Sequence, residues 1–178
     1  GRKVILYCPR CSTPLSNFEI AMDNSYKDVE SHSLYVKFKK KGASNEYFVA
    51  WTTTPWTLPG NVGLAVHPSA KYVQVQSGDE LLWFAKDRAP EGLSVVKEVV
   101  GSELVGESYV PLFNYLPVGS QKSYVIIPAE FVTMEDGTGI VHTAAIYGED
   151  DYTVSVKDGL PTIPMLDDQG IFLPFVTD

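Results

Sequence analysis

Short apolar runs of strand length recur along the chain, some alternating with polar positions and others continuous, the patterns of strands that bury one face or both. Leu34, Val36 and Phe38 alternate with polar neighbours, and Tyr47 to Trp51 forms a continuous apolar run suited to burial on both faces. Further strands are predicted over Val62 to Val66, Tyr72 to Val75, Leu81 to Phe84, Ser94 to Val100, Tyr124 to Ile127, Gly139 to His142 and Ile171 to Leu173. Gly78-Asp79 between two of them reads as a hairpin turn. Helical signals are few. Glu149 to Lys157 has acids in its first turn and Gly159 beyond its end, as a helix would, yet Tyr152, Val154 and Val156 alternate as in a strand. The pattern alone leaves that segment undecided.

Eight to ten short strands in one domain predict a mainly β fold, a closed or nearly closed β-barrel, because closure removes exposed edges. The 178 residues suit a single domain, and 44% apolar with 20% charged residues fits a packed core rather than disorder. No apolar run approaches the roughly 20 residues of a membrane helix, and the N-terminal apolar stretch is too short for a signal peptide. A soluble, cytoplasmic domain with no membrane partner is expected. Both termini break off in ordered-looking sequence, which suggests a domain excised from a larger protein.

The net charge of −8 argues against a free-standing nucleic-acid binder, for which phosphate neutralisation dominates affinity. It leaves room for a domain that receives only the tip of a strand while other parts of a larger protein hold the body. Both cysteines lie in Tyr7-Cys8-Pro9-Arg10-Cys11, half of a zinc ribbon. No second pair follows and the histidines are scattered, so neither a metal nor any other cofactor is expected.

Three segments can carry chemistry. In Trp51-Thr52-Thr53-Thr54-Pro55-Trp56-Thr57-Leu58-Pro59-Gly60-Asn61, the prolines force the chain out of a sheet and leave hydroxyls and an indole at a strand end. Core tryptophans and β-forming threonines are the plainer reading. Asp136-Gly137-Thr138-Gly139 is a turn feeding a strand that ends near His142, a residue type more often structural than catalytic. Glu149-Asp150-Asp151 offers carboxylates that can bind an ammonium group or simply be solvated. No serine or cysteine sits in a nucleophile elbow, so covalent catalysis has no support.

Taken together, Thr-Thr-Thr-Pro-Trp-Thr-Leu-Pro, Gly-Thr-Gly-Ile-Val-His and Gly-Glu-Asp-Asp-Tyr resemble the editing (connective-peptide) domain of isoleucyl-tRNA synthetase, a class I aminoacyl-tRNA synthetase. Tyr109-Val110-Pro111-Leu112-Phe113 and Phe131-Val132-Thr133 support the likeness, which runs over nearly the whole chain. The valine and leucine enzymes typically have Thr-Thr-Arg-Pro where this chain has Thr54 before Pro55, so the isoleucine enzyme is the better match. One departure stands out: Ala144-Ala145-Ile146 occupies the place of the family's Ala-Pro-Ala and bears on the loop that carries Asp151.

The resemblance implies a β-barrel with a few short peripheral helices, working without a cofactor. It implies hydrolysis of valine wrongly attached to the 3′ end of the isoleucine tRNA, and of valyl-adenylate, with the rest of the synthetase as partner in cis. Thr53, Thr54 and Asp151 would be the catalytic set. Thr52, Thr57, Trp56 and His142 would complete the substrate site, with Asp151 holding the α-ammonium and His142 walling the side-chain pocket. A non-catalytic β-barrel interaction module is the competing reading.

Overall fold

The computed structural model describes residues 4–176. A short hairpin, β1 (Tyr7–Cys8) and β2 (Thr13–Pro14), precedes the one-turn helix α1 (Asn17–Ile20). Ser16 and Glu19 cap that helix reciprocally, the Ser-x-x-Glu signature of a capping box. Cys8 and Cys11 are both free. Cys11 hydrogen-bonds to Cys8 through its backbone and side chain, which lowers the pKa of Cys8 and raises that of Cys11. No group of three or more metal-ligating side chains occurs among the described residues.

Two sheets make the body. The larger comprises β3 (Leu34–Lys39), β4 (Glu46–Thr52), β6 (Lys71–Ser77), β7 (Glu80–Ala85) and β8 (Ser94–Val100) in the order β3-β4-β7-β6-β8. All its pairs are antiparallel except β4 with β7. Gly78-Asp79 forms the two-residue turn expected between β6 and β7, with Gly78 at φ 58°. The smaller sheet sets β5 (Gly63–Val66) between β10 (Ile140–Thr143) and β9 (Val125–Pro128), with β9 parallel. Helix α2 (Gly101–Leu104) follows β8.

All four residues of β5 are buried because both faces are covered. Leu64 and Val66 pack with Phe38, Phe48, Tyr72, Trp83 and Ile126 between the sheets. Ala65 turns the other way, to Ile127, Leu160, Met165 and Val176. The outer face of the larger sheet carries a small third cluster of Val49, Val73, Val75 and Phe84.

The mainly β character is as expected; the closed or nearly closed barrel is not confirmed. Among the described residues no sheet closes into a barrel. Pro55 and Pro59 turn the chain out of β4 into a 3-10 turn over Pro55–Gly60, so the next strand starts a second sheet. The seam is stitched by single bridges instead: Tyr109 pairs with Lys40 and Ser108 with Val125, just before Pro111. On the free edge of β8 the register shifts between Gln74 and Val75, leaving Val96 as the extra residue. A bulge of that kind twists an edge away from pairing.

Two further segments differ from or resolve the sequence reading. Glu149–Asp158 is the helix α3, ended by Gly159 at φ 71°. Its alternation is not a strand: Val154 packs inward and Val156 is exposed. Ile171 to Leu173 does not form a strand, only the isolated bridge Leu166–Phe172. That bridge is closed by Leu173 N–H to Met165 O and Asp167 N–H to Ile171 O, and it extends no further, with Ile171 and Phe172 left exposed. No helix among the described residues is long and apolar enough to cross a membrane.

Gly139 shows how closely the sheets meet. Its φ is 71°, and a Cβ there would collide with the Cβ of Ala85, whose N–H donates to Thr138 O at 2.8 Å. Gly139→Ala should therefore cost about 3 kcal/mol, left-handed strain plus overpacking, measured by denaturant unfolding.

Candidate functional site

Three segments that are far apart in sequence line one cavity of about 310 Å³. The threonine strip enters from the end of β4, His142 from β10, and Asp151 from the first turn of α3. Trp51, Phe131, Val132, Ile140, Val141 and Tyr147 supply apolar wall, and Thr133, Asp136 and Gly137 lie around it.

Of the residues singled out from sequence, Thr52, Thr53, Thr54, Thr57, His142 and Asp151 all line the cavity. Thr52 and Thr57 are buried, whereas Thr53 and Thr54 are exposed. The Thr52 hydroxyl accepts from Thr54 N–H at 3.1 Å, which bends the strip away from the sheet. Trp56 is not among the lining residues. It is 47% exposed and packs edge-on against Tyr147, ring centroids 5.4 Å apart, so it adjoins the cavity through that ring.

His142 is held by a chain of hydrogen bonds whose proton order can be worked out. Asn61 Nδ2 lies 2.9 Å from Gly63 O, an atom that only accepts, and this fixes which end of the amide is nitrogen. The same Nδ2 faces His142 Nδ1 at 3.0 Å, so Nδ1 must accept. Nε2 then carries the proton and donates to Thr57 Oγ1 at 2.8 Å, while that hydroxyl donates to Thr54 O at 2.8 Å. At the far end the buried Tyr109 hydroxyl donates to Asn61 Oδ1. Burial lowers the pKa of His142 to about 4. The ring is therefore neutral, with both nitrogens committed to the protein. It can shape a wall, but it has no lone pair free to take a proton from water.

Asn61 and Tyr109 had no motif to betray them as site residues. Asn61 closes the threonine segment, but its partners are 48 and 81 residues away in sequence.

Asp151 is different in kind. Its carboxylate accepts a hydrogen bond from the backbone of Ala144, yet its pKa is raised to about 6, chiefly by burial, with the neighbouring charge of Asp150 adding to it. A carboxylate in that state is ionised at neutral pH but lacks its countercharge. Such a group suits a cationic ligand. The departure at Ala144-Ala145-Ile146 leaves the loop closed: Tyr147 N–H donates to Ala144 O at 2.9 Å, making a turn with Ala145 at its second position. Proline is favoured there but other residues are compatible with it.

The comparisons fit this geometry. In fold the chain is similar to the solved structure of GlLeuRS-CP1, with a TM-score of 0.56 at 20% identity, covering 74% of this chain and 66% of that one. It is also similar to the Plasmodium knowlesi cytosolic leucyl-tRNA synthetase editing domain, with a TM-score of 0.53 at 16% identity, covering 67% of this chain and 60% of that one. The fold is that of the synthetase editing domains. No family model matches the chain. In sequence it is 49% identical to the isoleucine–tRNA ligase of Clostridium novyi and 46% to that of Clostridium tetani, over 99% of its length in both cases. The corresponding figure for the enzyme of Bacillus thuringiensis (strain Al Hakam) is 44%, again over 99%. The chain spans 17% of the length of these curated relatives. It belongs to the isoleucyl-tRNA synthetases, matching their editing (connective-peptide) domain.

Two measurements check the histidine assignment. Nitrogen NMR should show His142 as the neutral Nε2–H tautomer from about pH 8 down to about pH 5. Because its folded pKa lies below the unfolded value, the stability that this neutral ring provides is present above pH ~6.5 and lost as pH falls through about 4. Asn61→Ala should cost about 3 kcal/mol in denaturant unfolding, since it leaves the Tyr109 hydroxyl and His142 Nδ1 buried without partners.

Proposed function

We propose that the cavity hydrolyses the ester joining valine to the 3′ terminal ribose of the isoleucine tRNA, and acts likewise on valyl-adenylate, as part of a cytoplasmic synthetase whose remaining domains hold the tRNA. The observation that carries this reading is the convergence of a half-buried carboxylate without a countercharge and a strip of threonine hydroxyls on a small cavity walled by a neutral histidine.

The selective need is physical. Valine differs from isoleucine by one methylene, worth only ~1–3 kcal/mol in a hydrophobic pocket, so a second site that excludes the larger side chain multiplies the discrimination. Here Asp151 pairs with the α-ammonium of the aminoacyl group and fixes the ester in the cavity. His142, locked by Asn61 and Thr57, closes the space beyond the valine methyls. A volume of about 310 Å³ is at the lower end for ligand sites and takes the aminoacyl ester rather than the whole adenosine. The base then remains at the mouth, where the half-exposed indole of Trp56 gives it an apolar edge.

Thr53 and Thr54 orient water toward the ester carbonyl and donate to the oxyanion as it develops. The bond between the carbonyl carbon and the ribose oxygen breaks, valine leaves as its carboxylate, and the ribose oxygen takes a proton from the solvent. An aminoacyl ester is already activated, so orientation suffices and no side chain serves as a dedicated base. The negative charge of the domain suits this role, because it receives one end of the tRNA and not its body.

Rates on valyl and isoleucyl esters of the isoleucine tRNA, measured side by side, test the reading. Valyl-tRNA should be hydrolysed and isoleucyl-tRNA spared; equal rates, or none, would instead favour a binding module. His142→Ala should open the wall and raise hydrolysis of isoleucyl-tRNA by roughly tenfold or more.

Asp151→Asn should lower kcat/KM on valyl-tRNA by on the order of a hundredfold and remove the pH dependence of the wild-type protein. In the wild type, kcat/KM should rise with pH through about 6 as Asp151 ionises. Stability should move the opposite way. A carboxyl whose folded pKa is raised destabilises the fold once ionised, so Asp151→Asn should gain on the order of 1–2 kcal/mol at neutral pH.

A further inference from the structure

Gly148 stands immediately before α3, three residues ahead of Asp151, and its backbone is extended at φ −149° and ψ 149°. Any residue adopts that conformation, so the backbone does not call for glycine here. The space does. A Cβ at position 148 would overlap Asp151 Oδ2 and lie 3.3 Å from its Cγ. The carboxyl of Asp151 thus occupies the volume that a side chain at 148 would fill, as it turns back to the Ala144 backbone.

We propose that Gly148 is a positioning residue: by having no side chain, it holds the Asp151 carboxylate in place to meet the substrate ammonium. This rests on the editing reading of the cavity. What must give way to a Cβ is the free end of one side chain, not backbone, so the helix and the core can remain while the carboxylate moves. The cost falls on the site and spares the fold.

Two substitutions separate this from a simple effect on the helix. Position 148 is the N-cap of α3, where alanine is poor and serine is favoured over glycine. If helix capping were the cause of a defect, Gly148→Ser would restore function that Gly148→Ala loses. If occupied space is the cause, both fail alike. A third variant, Gly159→Ala, strains the left-handed C-terminal cap of the same helix, at φ 71° and far from the carboxylate.

The experiment measures valyl-tRNA deacylation, thermal unfolding, and the titration of the Asp151 carboxyl by carbon NMR in the wild type and the three variants. Gly148→Ala and Gly148→Ser are expected to unfold cooperatively near the wild-type temperature and to lose on the order of a hundredfold in kcat/KM. Their Asp151 midpoint should shift down from about 6 toward the ordinary carboxylate range as the displaced group meets water. Gly159→Ala should lower the unfolding temperature and leave both deacylation and the titration unchanged. Wild-type deacylation in either position-148 variant, rescue by serine, an unmoved Asp151 midpoint, or loss of the fold would each overturn the proposal. Should the wild type itself release no valine, the editing reading fails, and the Asp151 midpoint still decides whether Gly148 places the carboxylate.

Discussion

The threonine strip, the small sheet and the cavity wall are tied together by one buried imidazole. His142 lies buried on β10, so its ring nitrogens need partners inside the protein, and both have them. Asn61 meets one and Thr57 the other; Thr57 lies within, and Asn61 just after, the 3-10 turn that carries the chain from the larger sheet to the smaller. Tyr109, which also bridges to the end of β3, completes the chain from the other side. A single set of hydrogen bonds thus fixes how the strip leaves β4, how β5 begins, and how the wall of the cavity stands. Each proton in it has one acceptor, and no alternative arrangement satisfies the Gly63 carbonyl.

Burial acts on two titratable groups of the cavity, His142 and Asp151, in opposite senses. Desolvation disfavours charge, so it drives His142 down and Asp151 up. The histidine escapes the cost by remaining neutral and is fully satisfied by hydrogen bonds. The aspartate keeps its charge at neutral pH, with a backbone hydrogen bond as partial compensation. One group is finished within the protein; the other is left without a countercharge, which is the basis for proposing it as the site of a cationic ligand. That difference separates a wall from a binding group more firmly than residue type does, since histidine is the usual suspect for proton transfer and aspartate on a helix start is usually a solvated cap.

Much of the local structure was legible in the chain. Short apolar runs, alternating where one face is buried as in Leu34 to Phe38 and continuous where both are as in Tyr47 to Trp51, located most of the longer strands, and Gly78-Asp79 marked its hairpin. The sequence was wrong, undecided or not confirmed where local signals say little about packing. Ile171 to Leu173 has strand-forming residues, but it pairs only through the single bridge Leu166–Phe172 and leaves Ile171 and Phe172 exposed, so no buried face extends it. In α3 the alternation of Tyr152, Val154 and Val156 imitates a strand, and the first-turn acids with Gly159 give the truer signal. Strand count suggested a barrel, yet count says nothing about which edges meet, and here they meet through isolated bridges at Ser108 and Tyr109.

By itself, then, the sequence determined the strands, the place where two prolines expel the chain from a sheet, the motifs that mark the family, and the residue types able to hold an ammonium or shape a pocket. These depend on interactions within a few residues, or on patterns written directly in the chain. Only the tertiary structure decided that Thr57, Asn61 and Tyr109 converge on His142, that this histidine is neutral with its tautomer fixed, and that Trp56 stands beside the cavity and not in its wall. It also showed that a side chain at position 148 would overlap the Asp151 carboxyl, although the backbone there is open to any residue. Proton order, desolvation and excluded volume are properties of groups brought together from distant parts of the chain. They come into being only when the two sheets close over one another.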